Sequence, residues 1–384
     1  MGENVKIFTN YQRGVSLTAT LGIKAKVQML PVSNLCHMNK SSLDIIKNGK
    51  PDVVYFFGNP LSGVYLECFK CLKAPIVLHI SSVHYSFSDL KTLSLKNAFS
   101  HRVHVITSLP PTIFLVRKLN STVITLITVP SKAIKASLVR QGVSSERIRV
   151  APLTFDAANS AIGGSAATLN IRKSLKLGKE NFVATYLGSP NTVRGTDILL
   201  HSAKILRNKV RNLKILLLCR RDFKEDNKDE KLLFQLIKKS NLGNTVEIVR
   251  GTLTRYTVNS YLRASDIVVF PFKIVQSEPP LAVLEAMALG KPVITTKTCG
   301  LPELVNLDRG FLVEPGDANA LADTIYYSMQ NSEILVKLGR QAKDFISTLP
   351  SCKELGKWTN SVFCQAIQRT NKMAKSKRPG DISL

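Results

Sequence analysis

The sequence has few acidic residues and no long apolar run, and both absences restrict what the chain can be. It carries 27 Asp and Glu against 53 Lys and Arg among 384 residues, a formal net charge of +26. No apolar run reaches the ~18 residues that a membrane-spanning helix needs, and no signal peptide precedes Val5–Phe8. We therefore expect a cytoplasmic protein, and its positive charge is compatible with peripheral contact at the anionic inner membrane face.

The sequence also lacks the patterns of several common site types. Its seven cysteines are scattered over a long chain, which argues against a disulfide framework. Cys68 and Cys71 form a lone CxxC without a second pair or a flanking His, so a helix face is favoured over a zinc site. The G-x-G-x-x-G loop after the first strand, the Walker lysine motif and H-E-x-x-H are missing, which disfavours dehydrogenases, P-loop NTPases and metalloproteases. We expect no nucleic-acid partner either, because no recognition motif accompanies the positive charge.

What the chain does contain is a regular alternation of short apolar runs and helical patterns. The runs lie at 5–8, 26–30, 52–57, 76–80, 102–107, 122–129 and 148–151, and then at 182–187, 215–219, 246–249, 267–271, 293–296 and 311–314. Such runs are typical of buried parallel strands. The sequence therefore predicts an α/β protein with two doubly wound parallel-sheet domains that face a central cleft.

The composition between these groups of strands predicts the domain boundaries. Residues 156–164 are small and polar, as in a linker, so we place an N-terminal domain at 1–156 and a C-terminal domain at 157–350. A helical pattern at 351–371 can cross back to the N-terminal domain, and 372–384 is predicted to be a basic disordered tail. Ser131 and Asp317 each precede a helical pattern and are predicted helix caps.

One helix of the second half places a carboxylate in apolar surroundings. Pro279 and Pro280 suit the first positions of a helix, Gly290 suits its end, and the residues around Glu285 are apolar. We expect this helix to be buried, so Glu285 must be paired or accept hydrogen bonds. Two adjacent sugar hydroxyls would meet that demand, and an internal ion pair with Lys or Arg would meet it equally well.

Several segments of the second half, taken in order, resemble glycosyltransferase family 4, whose members have the two-domain GT-B fold. They are 186–200, with a glycine loop and a basic residue before a helix, then 249–252, 264–271 and 277–317. The resemblance implies a retaining hexosyltransferase that moves a sugar from a nucleotide diphosphate-sugar to a glycan or lipid-linked acceptor. The donor is a co-substrate, and no cofactor is implied. No D-x-D pair follows a strand, so we expect no metal.

The resemblance also implies which residues bind the donor. They are Gly14, Gly188, Arg194, Gly251, Leu281, Ala282 and Glu285. Arg194 stands where the family usually has a lysine that grips the diphosphate; its alternative role is a surface charge at the start of a helix. Glu285 would hold the ribose, and the amides of Leu281 and Ala282 would face phosphate or sugar.

The catalytic candidates are Ser81, His84 and Glu278. The family carries a histidine close to the transferred sugar; here that column holds Ser81, and His84 follows in the predicted loop. His79, on the strand, has a structural role as its simpler interpretation. Glu278 and Glu285 enclose one residue fewer than the family's paired glutamates, so Ser277 occupies the first glutamate's column.

These departures leave alternative functions open. Serines at 81, 189 and 277 stand in columns that usually carry chemistry, which is compatible with a catalytically silent relative that only binds nucleotide sugars or carbohydrates. A phosphorylase or a sugar-nucleotide epimerase of the same fold is the other alternative. The fate of a radiolabelled sugar distinguishes these from a transferase.

Overall fold

The computed structural model describes residues 6–9, 26–29, 44, 46–58, 62–82, 112–156, 165–219, 228–251 and 253–375. The predicted site residues Gly14 and His84 lie outside these ranges. The same holds for the predicted strand at 102–107 and for most of the predicted linker, so the domain boundary at 156 stays a prediction.

The N-terminal part contains parallel strands in two groups. Its strands are β1 (Lys6–Thr9), β2 (Lys26–Met29), β3 (Val54–Gly58), β4 (Ile76–Ile80), β5 (Ile124–Val129) and β6 (Ile148–Val150). Its helices are α1 (Ser62–Tyr65), α2 (Thr112–Leu119) and α3 (Lys132–Arg140), with 3-10 turns at Leu66–Cys71 and Ser145–Arg147. β1 pairs with β2, and β3 to β6 form a four-stranded sheet in sequence order.

The C-terminal part is a single six-stranded parallel sheet covered by helices. Its strands are β7 (Phe182–Leu187), β8 (Leu213–Leu218), β9 (Val246–Val249), β10 (Ile267–Phe270), β11 (Val293–Thr296) and β12 (Gly310–Val313). Its helices are α4 (Ser165–Ser174), α5 (Thr196–Leu206), α6 (Lys228–Lys239), α7 (Arg255–Ala264), α8 (Leu281–Ala288), α9 (Leu301–Leu304), α10 (Ala318–Gln330) and α11 (Ser332–Ser347). Asp317 caps α10 by accepting from the amide of Ala320 at 2.9 Å, as the sequence predicts.

The order of strands in this sheet is β12-β11-β10-β7-β8-β9. The chain starts in the middle at β7, builds outward to β9, and then returns to the other side of β7 with β10. Ligands of doubly wound sheets bind in the crevice at the carboxyl ends of the strands where the order reverses. Here that point lies between β7 and β10, so the loops after Leu187 and Phe270 are the ones to inspect.

Both faces of the six-stranded sheet are buried, which explains the continuous apolar runs. Neighbouring residues of β7 alternate between two cores: Val183 and Leu187 belong to one, Ala184 and Tyr186 to the other. Because side chains alternate across a strand, only a strand covered on both faces is apolar throughout. The predicted architecture of two parallel-sheet α/β domains is confirmed.

A last helix, α12 (Cys352–Lys375), returns to the N-terminal sheet. Val362 and Ala366 pack in one cluster with Val77 of β4 and Leu126 of β5. The ring of Phe363 meets the ring of Tyr55 edge-on, at 5.5 Å between centroids. Helix α12 is thereby part of the N-terminal core.

Candidate functional site

The loop after β7 is pressed against the chain that follows β10. Gly188 has φ +144° and Gly195 has φ +76°, both in the region that favours glycine. A Cβ on Gly195 would lie 1.7 Å from the carbonyl oxygen of Pro271, so no other residue fits this close approach. The two loops of the switch point therefore touch, and the short segment between these glycines has little room to move.

Arg194 is held inside this segment by the residues at the end of β7. Its guanidinium hydrogen-bonds to the hydroxyl of Tyr186, whose own proton is donated to the carbonyl oxygen of Ser189 at 2.8 Å. Full burial raises the pKa of Tyr186 far above its usual value, so this phenol stays neutral. A Cβ on Gly188 would lie 2.8 Å from Arg194 Nη1. The half-buried guanidinium of Arg194 is thus fixed against Gly188, which has no side chain, at the carboxyl edge of the sheet.

Helix α8 has an open first turn and one accessible stripe. Pro280, its N-cap residue, makes no side-chain cap. Leu281 is 61% exposed and Glu285 is half-buried, whereas Val283 and Leu284 are buried. Residues four apart share one face of a helix, so Leu281 and Glu285 lie on a stripe that the core does not cover. The expectation of a helix buried on every side is therefore wrong along this stripe.

The more deeply buried carboxylate is that of Glu278, which is 7% exposed. One of its oxygens accepts from the amide of Gly300 at 2.7 Å, and the hydroxyl of Ser131 donates to it from the N-terminal part. Its backbone amide donates to the carbonyl oxygen of Ser81, also from the N-terminal part, at 2.7 Å. Burial raises the pKa of Glu278 above its ordinary value. Glu278 is a contact between the two halves of the molecule.

Glu303 makes a second contact of this kind. Its carboxylate accepts from the amides of Lys132 and Ala133 at 3.1 and 2.7 Å, and so caps helix α3 from the other half of the chain. Ser131 is the side-chain cap of the same helix, as predicted, and accepts from Ile134 at 3.2 Å. We call the set Ser81, Ser131, Glu278, Gly300 and Glu303 the interdomain joint. The sequence analysis assigns Glu303 no role, although this residue lies within the segment 277–317 that carries the family resemblance.

Among the predicted residues of the first half, Ser81 and His79 lie in different surroundings. Ser81 is half-buried directly after β4 and belongs to the joint through its carbonyl oxygen. His79 lies in a cluster with Tyr55 and Thr128, with ring nitrogen and hydroxyls 3.0 to 3.2 Å apart. Burial lowers the pKa of His79 to about 4, so its ring is neutral at pH 7. The structural interpretation of His79 fits this placement.

Gly251 lies farther from the switch point than the other donor-site candidates. It follows β9, at the outer edge of the sheet, and has φ +103°. Loops after parallel strands meet at one edge of a sheet, so Gly251 shares that edge with Gly188 and Arg194. The structure therefore brings Gly188, Arg194 and Gly251 to one edge.

Two properties of the described residues bear on metals and membranes. Within the ranges given above, no group of three or more His, Cys, Asp or Glu residues is arranged to hold a metal ion. In the same part of the chain, no helix combines the length and apolar composition that a membrane crossing requires.

Residues 168–345 match the family model of glycosyl transferases group 1, and this range includes Gly188, Arg194, Gly251 and helix α8. The chain is 26% identical over 208 residues to D-inositol 3-phosphate glycosyltransferase of Corynebacterium urealyticum, covering 53% of this chain and 48% of that protein. It is 28% identical over 169 residues to the capsular polysaccharide biosynthesis glycosyltransferase CapM of Staphylococcus aureus, covering 44% and 42%. The chain thus matches less than half the length of these curated relatives.

Solved structures resemble the chain over most of its length. Anabaena HepE in complex with UDP has a TM-score of 0.69 at 18% identity, covering 91% of this chain and 88% of that one. Its complex with UDP-glucose gives 0.67 at 17% identity, covering 94% and 88%. These likenesses confirm the GT-B fold that the sequence resemblance implied.

Proposed function

We propose that the chain is a retaining, metal-independent group 1 glycosyltransferase that transfers a sugar from a nucleoside diphosphate-sugar to a glycan or lipid-linked acceptor. One observation carries the proposal: the guanidinium of Arg194 is fixed beside Gly188 at the switch point of the sheet. This site lies inside residues 168–345, which match the family model. Polysaccharide biosynthesis in CapM and UDP-glucose bound to HepE support the acceptor and donor classes.

The role of Arg194 follows from the charge of the leaving group. When the sugar leaves, negative charge builds on the diphosphate, and a guanidinium held in place beforehand stabilises that charge without reorganising. The open first turn of α8 supplies further donors, the amides of Leu281 and Ala282, at the positive end of a helix. Together they supply one cation and two helix amides, the kinds of group that stabilise a departing nucleoside diphosphate.

Glu285 and the glycines complete the donor site in this proposal. A half-buried carboxylate can accept hydrogen bonds from two adjacent ribose hydroxyls, and the position of Glu285 on the accessible stripe of α8 suits this role. The positive-φ Gly188 and Gly251 allow the backbone to approach the donor closely. Among the catalytic candidates, Glu278 and Ser81 act through the interdomain joint, which sets the acceptor half against the donor half. Gly14, as a donor-binding residue, and His84, close to the transferred sugar, stay predictions from the sequence.

The experiment that tests this function is a thermal-shift panel of nucleoside diphosphate-sugars, followed by transfer of radiolabel with each stabilising donor. We expect one donor class to stabilise the protein, and the Arg194→Ala variant to lose that stabilisation. The matched control is Arg211→Ala, which removes an exposed guanidinium outside the site. Configuration of the product, read by NMR, tests retention, and activity in EDTA tests independence of metal.

Other outcomes assign other functions. Stabilisation without turnover under any acceptor indicates a silent binder. Release of the sugar to phosphate indicates a phosphorylase, and a changed sugar configuration in the donor indicates an epimerase. If no nucleoside diphosphate-sugar stabilises the protein, the transferase proposal is wrong.

Peripheral contact with an anionic membrane is a further part of the proposal, supported by the net charge of +26. A cytoplasmic location is proposed with it. Co-sedimentation with vesicles containing anionic lipid, at low and high salt, tests the contact. Electrostatic docking weakens as salt rises, so binding that is indifferent to salt contradicts it.

A further inference from the structure

The chain after β10 is hydrogen-bonded to Val193, the residue that precedes Arg194. The amides of Lys273 and Ile274 both donate to the carbonyl oxygen of Val193, at 3.0 and 3.2 Å. With the contact of Gly195 on Pro271, this fixes the main chain on both sides of Arg194. We call residues 193–197 the arginine turn.

The side chain of Lys273 makes a third link to this turn. Its Nζ lies 2.7 Å from Oδ2 of Asp197, with side-chain exposures of 5% for Lys273 and 20% for Asp197. The other carboxylate oxygen, Oδ1, is buried and has no hydrogen-bond partner among the residues described. Removal of a partner from a buried pair leaves an uncompensated charge. Lys273 therefore compensates the negative charge of the Asp197 carboxylate.

The position of Asp197 makes this compensation matter for an anionic ligand. Asp197 lies in the first turn of α5, close in sequence to Arg194. An uncompensated carboxylate at this place opposes both Arg194 and the positive end of the helix in attracting an anion. With Lys273 in place, the pair is neutral and the arginine turn keeps the net charge of Arg194.

We propose that Lys273 is a positioning residue for donor binding: its Nζ neutralises Asp197 and holds the arginine turn, so that the donor diphosphate meets a fixed and positive site. The inference rests on the proposed function, because the diphosphate is that of its donor. Lys273 itself does not touch the donor. A single lysine within the apolar stretch Pro271–Val275 is the sequence signal of this role.

The test compares Lys273→Met, Lys273→Arg, Asp197→Asn and the double variant Lys273→Met/Asp197→Asn. For Lys273→Met we expect faster hydrogen exchange in residues 188–197 and a donor KM raised roughly tenfold, because the first turn of α5, next to Arg194, then carries an unpaired carboxylate. This increase should shrink as salt is added. Lys273→Arg keeps the pair and should behave like the wild type, and the double variant should regain most of the donor affinity.

The results that overturn the proposal are distinct from those that overturn the function. A donor KM for Lys273→Met equal to the wild type, or a double variant no better than Lys273→Met, contradicts the role of the ion pair. If Lys273→Met does not fold, the role of the ion pair is tested with the other variants. The donor KM of the double variant is then compared with the donor KM of Asp197→Asn and of Lys273→Arg. Hydrogen exchange needs no donor: a loosened arginine turn in a protein that turns over no nucleotide sugar supports the ion pair and contradicts the transferase.

Discussion

The four-stranded N-terminal sheet and the six-stranded C-terminal sheet differ in where their polar side chains lie. In the N-terminal sheet, Tyr55, His79 and Thr128 hydrogen-bond to one another on neighbouring strands, on the face that carries Phe363 of α12. In the C-terminal sheet, the site residues Gly188 and Arg194 follow a strand at the switch point. The first arrangement holds elements together, and the second leaves charged groups at an edge where a ligand can reach them.

This difference explains why the sequence predicts a site clearly in only one half of the molecule. The diphosphate and ribose of the proposed donor would need cations, free amides and a carboxylate at defined places, and the C-terminal half carries such residue types where a sequence reveals them. Apart from the hydroxyl of Ser131, the N-terminal half meets the joint with main-chain groups, namely the carbonyl of Ser81 and the amides of Lys132 and Ala133. Any residue type supplies those groups. Four predictions, from the largest expected effect to the smallest, test this contrast between the halves.

Loss of the fixed guanidinium should have the largest effect. Arg194→Ala is expected to lower kcat/KM for transfer by about 10²- to 10³-fold, the usual cost of removing one preorganised donor at developing negative charge. Steady-state kinetics measure it, with Arg211→Ala as the control that should match the wild type. A variant within twofold of the wild type, as an order-of-magnitude criterion, would place the diphosphate elsewhere.

A half-buried lysine of the C-terminal half should make the free energy of unfolding depend on pH. Lys291 donates to the carbonyl oxygens of Arg263 and Ser265 at 2.7 Å each, and burial lowers its pKa to about 8. Between this value and the ordinary pKa of 10.5 the unfolded chain binds more protons, so the free energy of unfolding should rise with pH across that window, by on the order of 3 kcal/mol. Denaturant unfolding at several pH values measures the rise.

The control for that experiment is a second lysine in the same sheet. Lys297 pairs with Glu314 on the surface, with side-chain exposures of 53% and 62%. Lys297→Met should keep the rise, whereas Lys291→Met should abolish it. A rise that persists without Lys291 would assign the linkage to another group.

Loss of one contact in the interdomain joint should have a smaller effect on the free energy of unfolding. Glu303→Ala removes the acceptor of two amides at the start of α3 and should lower the free energy of unfolding by about 1 kcal/mol, as loss of a helix cap does. Trp358, the one tryptophan of the chain, packs against the N-terminal sheet, so its fluorescence reports unfolding of that half. Glu314→Ala removes an exposed carboxylate and serves as the control, expected to change little. Equal unfolding of both variants would contradict the cap.

The smallest effect is expected at Glu278. Its folded pKa is raised, so the stabilisation linked to its proton is present below the unfolded pKa of 4.5 and is lost as pH rises through the folded value. Glu278→Gln keeps an acceptor for Gly300 and removes the buried charge. At pH 7 this variant should therefore unfold no more easily than the wild type, and acidification towards pH 4.5 should favour the wild type relative to it. A variant clearly less stable at pH 7 would show that the ionised carboxylate strengthens the joint.

The sequence predicts most of this fold and only part of the site, for physical reasons. Strands buried on both faces are continuous apolar runs, so β7 and its neighbours can be read directly. The burial of Glu285 was overestimated, because the accessible stripe of α8 carries Leu281, an apolar residue that composition assigns to the core. Glu303 contacts Ala133 across 170 residues of sequence. Such contacts depend on how two domains meet, and no local pattern records that.

The return of α12 to the N-terminal core has a mechanical consequence. The polypeptide passes from one lobe to the other twice, once after β6, where Leu153 and Phe155 already pack on the C-terminal core, and again ahead of Cys352. Two covalent connections therefore join the lobes, so any movement of one lobe against the other has to bend both.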